Sequence, residues 1–268
     1  MGKKAIVISA VLGALTFFCG EAAARTPSPD RRRIAADEAR GFKFSRDKRT
    51  LLEARDAVMR GNIRHYTIPN GVTKIGDYAF SCCMSLNSVT IPDSVTEIGR
   101  GAFAECYGLR RLTIPAGVRK IAEAAFRCSP RVEVSSKNRN FATDDYGALI
   151  DLNSGKLLHF PSGVSGSYAI PDGVTGIGAY AFQHCSLNEV IIPPSVTWIG
   201  ERAFENSQNL RYVTIPNGVT HIGRSAFSGC HRLNEVIIPP SVTEVGDRAF
   251  SFSGCESQVK RDYPHLFR

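Results

Sequence analysis

The chain has 268 residues, a formal net charge of +8 and a hydrophobic fraction of 43 %. That length allows one or two domains with a real core, and the apolar fraction excludes a disordered chain. No second apolar run approaches the roughly 18 residues of a bilayer crossing, which excludes a multi-span membrane protein.

The first 24 residues read as a cleaved export signal. Lys3 and Lys4 form a basic start, Ala5 to Phe18 is apolar but short for a span, and Ala22-Ala23-Ala24 offers small residues for cleavage before Arg25. Acylation at Cys19 is the alternative, although Phe17-Phe18 stand where a lipidation motif wants a small residue. The expected location is therefore outside the cytoplasm: periplasmic, cell-surface or secreted.

Residues 25–66 carry 12 Lys+Arg against 6 Asp+Glu, so the basic balance is a local property. Arg31-Arg32-Arg33, beside Pro27 and Pro29, reads as a solvated flexible leader. The opposing reading is attraction to anionic glycans, lipid surfaces or nucleic acid. No aromatic stacking platform accompanies these arginines, which argues against nucleic acid. Phe42 to Tyr66 reads as a hairpin capping the unit that follows, with a short helix over Leu51 to Met59 as the alternative.

From residue 67 to 255 the chain repeats itself. Ile-Pro pairs begin at Ile68, Ile91, Ile114, Ile170, Ile192, Ile215 and Ile238. Each is followed, twelve residues on, by Phe80, Phe103, Phe126, Phe182, Phe204, Phe227 or Phe250, always preceded by Ala. A period near 23 residues is that of a solenoid, whose single coils cannot bury their own apolar face and must stack. Leu86-x-x-Val89-x-Ile91 alternates as a strand with Val89 and Ile91 inward, and the following Pro ends it. Val72-Thr73-Lys74-Ile75 reads as a short second strand, and Gly76 and its equivalents as tight corners. Cys83, Cys106, Cys185 and Cys230 all stand three after the repeat Phe, which makes a column of packed thiols. No C-x-x-C occurs, and His184 beside Cys185 is isolated, so no metal or cofactor is expected.

This I-P-x-x-V-T-x-I-G-x-x-A-F-x-x-C-x-x-L unit resembles the BspA-like leucine-rich-repeat proteins, the treponemal 23-residue class, over roughly residues 42–255. The resemblance implies a right-handed coil with a parallel sheet. It also implies a secreted or surface protein that adheres to host matrix or to other cells.

Two departures stand out. The third unit reads as losing one residue after Phe126, giving Phe126-Arg127-Cys128. Extra chain from Lys137 to Tyr168 contains Asn153-Ser154-Gly155 between Ala148-Leu149-Ile150 and Leu157-Leu158, which reads as a hairpin insertion. Its end, Lys156-Leu157-Leu158 to Tyr168-Ala169-Ile170-Pro171, mimics Thr50-Leu51-Leu52 to Tyr66-Thr67-Ile68-Pro69. Residues 256–268 form a C-terminal tail.

No nucleophile elbow, phosphate loop, dinucleotide fingerprint or metalloprotease helix is present, so neither an enzyme nor a small-molecule substrate is expected. Binding would use the outward residues of the main strands, Arg110, Arg111, Glu189, Arg211, Tyr212 and Glu235, toward protein or glycan ligands. Arg211 with Tyr212 is the strongest pair, because both types are enriched at binding hot spots. Trp198, on the second strand, reads equally as a contact or as packing against the insertion. Lys74, Glu97 and Lys120 in one column read as cross-strand charge pairing. The alternative to ligand binding is an envelope structural role through self-association at an open solenoid end.

Overall fold

The computed structural model describes residues 28–129 and 131–267. The expected export signal, Cys19 included, lies outside the described residues.

The basic segment is not a flexible leader. It folds as α1 (Pro29–Ala39), capped by Ser28, whose hydroxyl accepts from Arg31 N, with Pro in the first turn and Asp30 against the dipole. Its Ile34 and Asp37 are buried. Arg33 donates to the Thr67 carbonyl, and Asp37 Oδ2 accepts from Tyr66 OH at 2.8 Å. The arginine run is therefore the outer face of an end cap. Next come β1 (Lys43–Phe44) and β2 (Thr50–Glu53), an antiparallel hairpin. The helix α2 (Arg55–Arg60) follows, so hairpin and helix share the region instead of competing for it.

The first block of coils contains β3 (His65–Thr67), β4 (Lys74–Ile75), β5 (Ser88–Thr90), β6 (Glu97–Ile98), β7 (Arg111–Ile114), β8 (Lys120–Ile121) and β9 (Arg131–Val134). β10 (Phe141–Thr143), β11 (Leu149–Asp151) and β12 (Lys156–His159) form an antiparallel run. The second block holds β13 (Ser165–Ala169), β14 (Gly176–Ile177), β15 (Ser186–Ile191), β16 (Trp198–Ile199), β17 (Tyr212–Thr214), β18 (His221–Ile222) and β19 (Glu244–Val245). α3 (Glu256–Asp262) and a 3₁₀ turn (Pro264–Phe267) close the chain. The tail is thus a folded cap: Val259 is buried, and Tyr263 and Leu266 pack on the core.

Parallel stacking holds the coils together. The short strands run as β2-β4-β6-β8 and β12-β14-β16-β18-β19, in the register Lys74↔Glu97↔Lys120 and Gly176↔Trp198↔His221↔Glu244. On the other face the long strands form separate groups: β3-β5, β7-β9 and β13-β15-β17. The mimicry between the two starting segments is structural. β2 joins β4 as β12 joins β14, and each is preceded by an antiparallel partner. Tyr168 OH donates to Asp144 Oδ2 at 2.7 Å, as Tyr66 does to Asp37. The insertion therefore starts a second stack. Two apolar cores result, and the β11–β12 hairpin feeds both: Leu149 and Leu158 face the first, Ala148 and Leu157 the second.

The third unit loses three residues and not one, and the loss falls after Ser129 and not at Cys128. Ser129 fills the Cys column, donating to Phe103 O at 2.6 Å, so nothing is lost before it. Arg131 then pairs with Arg111, although it stands five residues after Phe126 where Arg111 stands eight after Phe103.

The corner glycines are explained by close approach and not by backbone freedom. Gly223 and Gly246 lack positive φ, but a Cβ there would lie 2.6 and 2.4 Å from the backbone N of Glu201 and Arg224 in the preceding coil. Two recurrent left-handed positions stand two before and two after each Phe. Tyr78, Gly101, Ala124, Tyr180, Arg202, Ser225 and Arg248 form one column; Cys82, Glu105, Cys128, His184, Asn206, Gly229 and Phe252 form the other. This conformation costs a non-glycine residue roughly 1–2 kcal/mol. It is held by bonds between coils, such as Phe80 N to Ala102 O and Cys82 N to Ala104 O, both 2.8 Å.

Candidate binding surface

Every repeat Phe is buried. The rings stack in two runs, with centroid separations of 5.1 Å for Phe80–Phe103, 4.8 Å for Phe182–Phe204 and 5.0 Å for Phe204–Phe227. The Cys column is buried as expected, and its thiols do a job shared with serine. Cys106 Sγ donates to Phe80 O and Cys230 Sγ to Phe204 O, as Ser207 Oγ does to Phe182 O. Burial pushes the Cys83 thiol up to about 12 and the Cys128 thiol up to about 11, which keeps both protonated and inert at neutral pH. No cluster of His, Cys, Asp or Glu able to hold a metal ion exists among the described residues.

The outward strand residues divide into three situations. Arg111 is exposed but tied to Glu133 at 3.3 Å, which Arg131 also approaches at 3.9 Å. Arg110 is exposed on the same block. Glu189, on β15, accepts from Ser167 Oγ at 2.8 Å. Arg211, Tyr212 and Glu235 instead come together, lining a cleft of about 660 Å³ with Thr214, Arg232 and Ile237. That volume falls within the about 300–1,000 Å³ typical of ligand sites. Tyr212 is 65 % exposed and Ile237 71 %, and Ile191 beside them is 50 % exposed. Neither Arg211 nor Arg232 has an ion-pair partner among the described residues. Arg232 is a lining residue that the strand offsets do not mark, whereas Ile237 is outward by its offset, in the column of Thr90, Thr113, Ile191 and Thr214, without being one of the expected contacts.

Trp198 belongs to the scaffold. Its ring lies against Gly176, where an added Cβ would be 2.2 Å from the indole Nε1, and Lys156 Nζ sits 4.6 Å from the ring centroid. It packs on the second starting hairpin and is half-buried there. In the neighbouring columns Lys74 pairs with Glu97 at 3.2 Å and His221 with Glu244 at 3.1 Å. Lys120 makes no such ion pair among the described residues.

The BspA type leucine rich repeat region matches in six copies, over residues 55–166 and 160–260. Among solved structures, a leucine rich cell surface protein from Faecalibacterium prausnitzii is 34 % identical with a TM-score of 0.65, over 70 % of this chain and 51 % of that one. The pneumococcal vaccine antigen PcpA is 29 % identical with the same TM-score, over 69 % and 47 %. The chain therefore spans about half the length of these two relatives. The T. pallidum Leucine Rich Repeat protein, TpLRR, matches at 21 % identity over 85 % of this chain and 92 % of that one, with a TM-score of 0.37. Among curated proteins there is no match. Stacked 23-residue coils, the Phe and Cys columns, the family match over most of the chain and the Faecalibacterium prausnitzii structure agree, and the chain belongs to the BspA-type leucine-rich-repeat family.

Proposed function

We propose that the chain is exported and works as a non-enzymatic binding scaffold, adhering to protein or glycan ligands outside the cytoplasm through its long-strand face. The carrying observation is the cleft at Arg211, Tyr212 and Glu235: exposed aromatic and aliphatic side chains beside two unpaired guanidinium groups. Desolvated Tyr and Arg anchors commonly dominate binding energy, and a rigid stack loses little order on binding. The description of a relative as a cell surface protein supports the placement.

The test is a solid-phase assay of the purified chain against matrix proteins, intact host cells and anionic glycans. Joint replacement of Arg211 by Glu and Tyr212 by Ala should weaken capture by roughly tenfold or more, the scale of one hot spot. Capture that survives the double replacement moves the site elsewhere. Absence of all capture, with concentration-dependent oligomers instead, favours the envelope-assembly role.

A further inference from the structure

The coils repeat their hydrogen bonds as well as their residues, so an omitted bond is visible. Entering each long strand, one N–H reaches back to the strand before it: Asn87 N to Arg64 O at 2.6 Å, Arg110 N to Asn87 O at 3.3 Å, and Arg211 N to Asn188 O at 2.8 Å. Leaving two of these strands, an Ile N–H reaches forward, Ile68 N to Thr90 O and Ile170 N to Ile191 O, both 3.0 Å, whereas Ile91 and Ile192 make no such bond to Thr113 and Thr214 among the described residues. The next members of these series are Asn234 N to Arg211 O and Ile215 N to Ile237 O. Neither bond is made among the described residues, and β17 has β15 as its one sheet neighbour.

The parting is confined to this face. Behind it, Phe250 stacks on Phe227 at 5.3 Å, β19 pairs with β18, and Leu233 and Val236 are buried. The outer edge of the last segment is also satisfied, because Val236 N donates to Gln258 Oε1 and Ile238 N to Tyr263 OH. The C-terminal cap therefore holds residues 234–238 from outside, and the edge facing β17 stays open. The cleft at Arg211 and Tyr212 is this opening.

Resting on the strand-face reading above, we propose that the cleft is a strand-addition site for an extended polypeptide segment bearing acidic side chains. Its open wall is a backbone edge, with donors and acceptors alternating along the strand. An extended peptide matches that row, and strand addition gains affinity from main-chain bonds and specificity from alternate side chains. Charge sets the rest: Arg211 and Arg232 flank the opening against the single carboxylate of Glu235, so an acidic residue on the incoming outward face is complementary. Tyr212 and Ile237 supply the apolar contact.

The experiment uses the full chain and the synthetic peptide Thr-Val-Glu-Val-Thr-Val-Glu, blocked at both ends. It is compared with two versions methylated at alternate amide nitrogens, one for each edge. In the free chain the Val213 and Ile215 amides should exchange quickly while that of Val190, inside the sheet, is protected. The peptide should protect Val213 and Ile215. Methylation of one edge should weaken binding by roughly tenfold or more, since several peptide hydrogen bonds are lost together. Arg211→Glu should weaken it similarly while leaving thermal unfolding of the chain unchanged. Binding of both methylated peptides as tight as that of the unmethylated one, or Val213 and Ile215 already protected in the free monomer, overturns the proposal. So does a dimer in sedimentation whose formation supplies the protection, or displacement of bound ligand by heparin but not by peptide. If the double replacement at Arg211 and Tyr212 abolishes capture of matrix proteins while the peptide protects nothing, strand addition falls and the strand-face reading stands.

Discussion

The repeat Phe packs against copies of itself, so its worth depends on its place in the stack. Phe204 has rings on both sides, at 4.8 and 5.0 Å, whereas Phe250 has one, at 5.3 Å. Phe204→Ala should cost about 3–5 kcal/mol and Phe250→Ala less, read as the shift in urea midpoint. The left-handed columns make a different demand. Ser225, at φ 53°, occupies the position of Gly101, so Ser225→Gly should retain stability. Ser225→Val should lose upward of about 1 kcal/mol, because a β-branched residue is strained there; equal melting of the two variants would contradict this. Thiol chemistry follows burial: iodoacetamide at neutral pH should label Cys82, the half-buried cysteine, before the buried and protonated Cys83 or Cys106. Peptide mass mapping reads the order. The Phe and Cys columns were legible in the sequence because fixed offsets define them. The left-handed positions were not, since Tyr, Arg, Ser and Phe occupy sites where glycine is the expected marker.

At the level of elements, the two starting hairpins do the same work with different security. Asp37 is 2 % exposed and takes the Tyr66 hydroxyl, so Tyr66→Phe leaves a buried carboxylate oxygen short of a donor, at about 1–3 kcal/mol. Asp144 also receives the Tyr146 and Ala148 amides, and Tyr168→Phe should cost less. Chemical denaturation of both variants gives the comparison. The C-terminal cap adds a pH dependence. Lys260 and the Phe252 amide hold the Glu256 carboxyl below the usual range. A folded-state value below the unfolded one means the contribution is present above the unfolded value and fades as pH falls through the folded value. Exchange of the Phe252 amide should therefore accelerate on acidification in that window, and in Glu256→Gln at neutral pH. The second hairpin was legible as an insertion through its turn residues and its likeness to the first. That it begins a new stack depends on parallel pairing with a strand some twenty residues on, which no local pattern encodes. The α1 cap was misread because its arginines outweigh two buried residues, Ile34 and Asp37, that decide its position.

For the whole molecule, two cores sharing one hairpin suggest two cooperative units, as in other quasi-one-dimensional folds. Trp198 is the single tryptophan and belongs to the second stack, so its fluorescence reports that unit alone. Phe103→Ala should move the far-ultraviolet transition to lower urea and leave the tryptophan transition in place; movement of both together would mean one unit. The family and coil were legible from periodicity. The cleft was not, because Leu233-x-x-Val236-x-Ile238 repeats the strand pattern faithfully, and nothing in it marks that its outer edge is held by Gln258 and Tyr263 while its inner edge stays unpaired. The inter-coil bonds at the Phe corners also share one direction. From Tyr78 N to Arg100 O through Gly229 N to Ser251 O, the amide points toward the C-terminal end in each case. At the short-strand corners the amides point the other way, as in Thr96 N to Thr73 O and Gly246 N to Ile222 O, and at the C-terminal end the Glu256 carboxylate caps the Phe252 amide. Each coil is polar in opposite senses at its two corners, so neither end of the rod is a uniform donor or acceptor surface.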